Sequence, residues 1–100
     1  MSQNSNKQRT MDGPWFDLGY QQITALGSSV ALIVPIGTLF VEICPEGQAV
    51  RYRADGTAPT ASVGMPIAAG QVYPYTGTDI AALRFIEQAA GAKLNVKFYG

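Results

Sequence analysis

Residues 48–70, QAVRYRADGTAPTASVGMPIAAG, decide the fold class. The segment opens as a strand. Strand side chains alternate between faces, which sends Val50 and Tyr52 one way and Arg51 and Arg53 the other. Asp55-Gly56 then offers the positive-φ positions of a tight turn. Pro59 and Pro66 carry no backbone N–H, so the stretch between them suits an edge or a loop better than a central ladder. A second proline-glycine corner closes at Gly70. This is the pattern of an all-β chain, a small antiparallel β-sandwich or jelly roll.

Outward from this segment the chain reads as short apolar strands punctuated by Gly and Pro, at about 8–12-residue spacing. Residues 20–26 and 28–34 form two expected strands parted by Gly27, the second running into Pro35-Ile36-Gly37. Residues 38–44 place Leu39, Val41 and Ile43 on one face and Phe40, Glu42 and Cys44 on the other. Two largely apolar faces predict a central or covered strand. Pro45-Glu46-Gly47 is expected to break it. Residues 65–68 and 71–75 are shorter strands, with Pro74 marking an edge. Residues 83–88 and 93–99 are expected to pair as a C-terminal hairpin, with Leu94, Val96 and Phe98 inward and Lys93, Asn95 and Lys97 outward. A helix over 80–90 competes, because Ile80, Leu83 and Ile86 recur at helical spacing among alanines. The strand is preferred, with one short helical turn retained around 79–82.

Residues 1–17 read as an extended polar N-terminal arm and 18–100 as the β-sandwich domain. The arm holds too little apolar surface to fold by itself, and Trp15 with Phe16 is expected to anchor it. Its start has no apolar core of a secretory signal, and the longest apolar run, residues 30–36, is too short to span a bilayer. Neither a membrane nor export is expected.

Charge narrows the function classes. The chain has 100 residues, seven basic and seven acidic, and only 14% are charged. Ordinary soluble domains carry about 25%. No basic footprint points to nucleic acid. Sparse charge predicts a surface that faces other protein chains, since the centres of interfaces are depleted in charge; the alternative is a quiet, Ala/Gly-rich monomer. With no histidine and one cysteine, neither a metal site nor an activated thiol is expected, and Cys44 reads as a small buried hydrophobe. Glu42 and Glu46 flank a turn and are weak candidates for paired glycosidase acids. An enzyme is not expected, nor a cofactor. Trp15, Tyr20, Tyr52, Tyr73, Tyr75 and Tyr99 could form a sugar-stacking platform, or sit at sheet margins with wet hydroxyls. Arg51 and Arg53 share a strand face and could grip acidic groups of a partner, or could simply be solvated.

Several runs resemble a recurrent pattern in small virion-associated β-sandwich proteins of tailed bacteriophages and prophages. They are Val50-Arg51-Tyr52-Arg53, Asp55 to Thr60, Gly64-Met65-Pro66-Ile67 with Gly70, Leu83 to Glu87, and Gly91 to Val96. The similarity spans about Ile23 to Tyr99 and leaves the arm outside. The resemblance implies a structural role in the virion, most simply a capsid decoration (cement) protein. Its partner would be the major capsid protein, and it would be a homo-oligomer, a trimer for preference. It would be made in the bacterial host cytoplasm and end on the capsid surface. Lys7, Arg9, Trp15, Arg51 and Arg53 are the candidate partner contacts. A place in the tail or head–tail junction, or a carbohydrate- or receptor-binding module, is the alternative.

Overall fold

The structure, a computed structural model, describes residues 15–100. It contains eight strands: β1 (Asp17–Ile23), β2 (Val30–Ala31), β3 (Phe40–Glu46), β4 (Val50–Arg53), β5 (Met65–Ile67), β6 (Tyr73–Thr76), β7 (Arg84–Glu87) and β8 (Lys93–Tyr99). One turn of 3-10 helix, Ile80–Ala82, precedes β7. The preferred strand and its residual helical turn both form.

All pairings are antiparallel and build two four-stranded sheets, ordered β1-β8-β3-β6 and β2-β7-β4-β5. The order follows from one operation. Laying the chain down as a single long hairpin brings β1 to β8, β2 to β7, β3 to β6 and β4 to β5. Rolling that ribbon adds β8 to β3 and β7 to β4, which is jelly-roll connectivity.

Strand alternation then fills the space between the sheets. Val41, Ile43 and Pro45 of β3, Val50 of β4, Phe85 of β7, and Leu94, Val96 and Phe98 of β8 are all buried. Each large side chain among them contributes roughly 1.5–3 kcal/mol by leaving water. The inward and outward sets foreseen for β4 and β8 are the ones observed. β3 lies between β8 and β6, as its two apolar faces required. Its outward Phe40 is covered by Trp15, ring centroids 5.4 Å apart, and by Tyr99 at 5.3 Å.

The prolines sit where their missing donors cost little. Pro66 lies on β5 and Pro74 on β6, the edge strands of the two sheets. Pro45 does not break β3 as expected; it pairs with Leu94 inside the strand. Its carbonyl accepts from Gly70 N at 2.8 Å, so its donor-less side faces the space beyond the end of β6 rather than β8.

Other expectations need correction. β7 and β8 are not a hairpin: β7 pairs with β2 and β4, and β8 with β1 and β3, so the two face each other across the core. Alternation reports which side chains point inward, but not which strand lies alongside. The tight turn of the β4–β5 connection is not Asp55-Gly56 but Ala61-Ser62, where Thr60 and Val63 exchange backbone hydrogen bonds of 2.8 and 3.3 Å. Asp55 instead makes a local turn by accepting from Thr57 N at 3.3 Å. β1 runs Asp17–Ile23 rather than over residues 20–26, and so takes in Asp17, the last residue of the expected arm. β2 shrinks to two residues because the chain then crosses towards β1, where Gln21 Oε1 takes Ile33 N at 3.0 Å. Cys44 is half-buried on the outer face of the first sheet, not in the core.

That outer face is tied together by Asn95. Its Oδ1 accepts from Tyr20 Oη at 2.6 Å and Gln22 Nε2 at 3.0 Å, while Nδ2 donates to the Cys44 carbonyl and Glu46 Oε1. Lys97 pairs with Asp17, and the Tyr99 hydroxyl donates to Glu42 at 2.9 Å.

Candidate docking surfaces

Three surface features remain once the core is accounted for. The first is an apolar pole. Phe16 N and O bond Gly100 O and N at 2.8 and 3.0 Å, and Leu39 N bonds Tyr99 O at 2.8 Å. These bonds draw Phe16, Leu39 and the Pro35–Gly37 corner around the end of β8. Ile33, 79% exposed, lies farther along, beside Gln21 of β1, whereas at the pole Phe16 is 77% exposed and Ile36 fully exposed. A shallow hollow of about 270 Å³ lies beside them, lined by Trp15, Leu39, Thr76, Gly77 and Thr78. Trp15, expected as a partner contact, is half-buried against Phe40 and anchors this pole. Lys7 and Arg9 lie outside the described residues.

The second feature is a tyrosine clasp between the sheets. Tyr52 on β4 and Tyr73 on β6 share a 2.7 Å hydroxyl–hydroxyl bond. Tyr75 stands edge-on to Tyr52 at 6.0 Å and donates to Asp79 Oδ2 at 2.9 Å. Burial first, and hydrogen bonding second, push the Tyr75 phenol up to about 12 and raise that of Tyr52 as well. Tyr73 and Tyr75 pack on the core and are half-buried, so these two rings form no flat platform towards solvent.

The third is the outer face of the second sheet. Arg51 and Arg53 point outward from β4, and the β4–β7 register sets Ile86 opposite Arg51 and Arg84 opposite Arg53. Arg84 was not anticipated. Alternation along residues 83–87 already separates it from Leu83 and Phe85, but only the β7–β4 pairing brings it to the other two. Among the described residues all three arginines therefore share one face, whereas Lys93 and Lys97 lie on the outer face of the other sheet.

Each guanidinium has a different partner. Arg51 donates from Nε to Ala61 O at 3.1 Å and from Nη1 to Gly64 O at 2.8 Å, strapping the β4–β5 loop to the strand. Arg53 grips Asp55 with two bonds, of 3.0 and 2.5 Å. That pairing holds the Asp55 carboxyl below its ordinary range and raises Arg53. Arg84 donates to the carbonyls of Ala81 and Leu83 at 3.1 and 3.0 Å. A groove of about 550 Å³ runs beside Arg53 and Asp55, walled by Tyr52, Val63, Met65 and Asp79.

None of these features carries an acid–base pair aimed at a common point. Glu42 and Glu46 are spent on Tyr99 and Asn95. Among the described residues there is no group of three or more His, Cys, Asp or Glu that could hold a metal ion, and no helix long and apolar enough to cross a membrane. Compared with known proteins, the chain matches no family model, no curated protein and no solved structure.

Proposed function

We propose that this protein is a structural subunit of a tailed-bacteriophage virion, a decoration (cement) protein that binds the shell of major capsid subunits. It would sit there as an oligomer at a symmetry axis. The observation that carries the reading is the apolar pole. Phe16, Ile36 and Leu39 stay exposed at the point where residues 1–14 join the domain. A lone soluble domain loses solubility by such a patch, whereas a subunit that docks there gains contact area. The low charge of the chain agrees with that. The jelly roll is shared by shell-forming and sugar-binding domains, so the architecture favours neither. The inward set of Tyr73 and Tyr75 weighs against a sugar platform built on them.

Weak contacts repeated over a symmetric shell give firm retention by avidity. Counting this chain against the major capsid protein in purified particles, by quantitative mass spectrometry, tests the reading. Copies on the order of hundreds are expected for a shell cement; about a dozen or fewer would move the protein to the tail axis. Absence from particles overturns the virion reading. Deleting residues 2–13 should leave a folded domain that no longer decorates the shell; unchanged decoration would remove the arm from the mechanism.

A further inference from the structure

The outer face of β7 and β4 keeps an arrangement that the isolated domain does not favour. Arg53 and Arg84 are directly opposite each other in the ladder. Like charges at such positions, about 4.5–5.5 Å apart at Cβ, destabilise a sheet. Arg51 stands two residues from Arg53 on the same face, and Asp55 is the one carboxylate bonded to any of the three among the described residues. Arg51 and Arg84 meet only neutral carbonyls, so their full charge is offered outward. Ile86 stands opposite Arg51, and Ala31 and Pro66 flank Arg84 and Arg51 on the outer strands, supplying small apolar area without competing side-chain donors or acceptors.

We infer that this face docks an acidic segment of a partner protein, an extended stretch whose carboxylates bridge Arg84 to Arg53 and Arg51. The inference rests on the docking role proposed above and adds the surface and the partner's chemistry. Planar guanidinium groups match carboxylates two bonds at a time, and arginine is the cation enriched in interfaces while lysine is depleted. Among the described residues, the division of the arginines to this face and of Lys93 and Lys97 to the other follows that preference. A nucleic acid is the poorer fit. Tight binding there normally engages about 6–10 phosphates along a basic stripe; this face offers three cations, one already neutralised, on a chain of zero net charge.

The test uses the isotope-labelled full chain, titrated by NMR with a glutamate-rich peptide and, separately, with single-stranded DNA. Amide shifts should centre on Arg51, Arg53, Arg84 and Ile86 with the peptide and collapse at high salt. Arg84→Glu should weaken peptide binding about tenfold, the loss of one charge-assisted contact. It also replaces a like-charge pair with an opposite one, so its melting temperature should be no lower than that of the parent. Arg84→Gln, which keeps a donor, should fall between the two in affinity. Tighter binding of DNA than of peptide overturns the inference, as does absence of shifts on this face or an Arg84→Glu variant that binds as the parent does. No particle enters this titration, so its failure leaves the copy count standing, and a failed copy count leaves the titration standing.

Discussion

The hydroxyls of Tyr52 and Tyr73, one from each sheet, meet at 2.7 Å. Around that bond the Tyr52 ring lies 5.5 Å from Tyr73 and 6.2 Å from Phe85, so one side chain joins both layers by polar and apolar contact. Removing only the hydroxyl, Tyr52→Phe, should cost about 1 kcal/mol. Removing the ring as well, Tyr52→Ala, should cost about 3–5 kcal/mol, because a cavity opens between the sheets. Urea unfolding measures both. Equal costs for the two variants would contradict this division.

Alkaline pH should weaken the same clasp. The phenols of Tyr75, pushed up to about 12, and of Tyr52, raised mainly by burial, keep their protons in the native state where an unfolded chain releases them near pH 10. The native state then binds more protons than the unfolded one. Stability is fully present below about pH 10 and is lost as pH rises through about 12. The urea midpoint should fall across that window, with tyrosinate absorbance growing as the chain unfolds. A flat midpoint would refute the linkage.

Arg51 reaches two carbonyls of one loop, Ala61 and Gly64. Arg51→Lys retains the charge but not the fork that spans both acceptors. The variant should remain folded, lose about 1 kcal/mol, and become open to protease within residues 57–63. Cleavage at the parental rate would show that the strap does not restrain the loop.

Two glycines of equal handedness should respond differently to alanine. Gly47 has φ +85° and a Cβ there would stand 2.7 Å from the Gly91 carbonyl, whereas Gly56 has φ +88° and open space. Gly56→Ala meets only the backbone penalty, about 1 kcal/mol. Gly47→Ala must also push apart the β3–β4 and β7–β8 turns and should cost at least about 2 kcal/mol. Thermal melts of the two variants compare them directly.

The faces of the strands were legible in the chain; their neighbours were not. Val50 and Tyr52 against Arg51 and Arg53, or Leu94, Val96 and Phe98 against Lys93, Asn95 and Lys97, follow from a period of two. The same pattern cannot tell a hairpin partner from a strand across the core, so consecutive β7 and β8 look like a hairpin although they lie in different sheets. The same ambiguity conceals the neighbours of Arg84, which come from β4 rather than from its own segment. Pro45 looks like a breaker in the sequence because nothing local reveals that β6 ends before reaching it. Asp55-Gly56 carried a stronger turn signal than Ala61-Ser62, but Arg53 holds Asp55 and Thr60 closes the later turn with its own backbone and hydroxyl. Local chemistry located the punctuation, and long-range partners decided how it was used.

Among the described residues β1 pairs with one strand, β8, with Asp17 opposite Tyr99 and Ile23 opposite Leu94. Of the described strands β1 is made first and β8 last, so β1 waits for its partner. Closing so long a loop is entropically costly and slow, whereas β4 and β5 can meet early across their short connection. On the ribosome the nascent chain can begin its second sheet but cannot seat β1, nor the Phe16–Gly100 bonds beyond it. The apolar pole consequently assembles last, and a partly made chain does not present it.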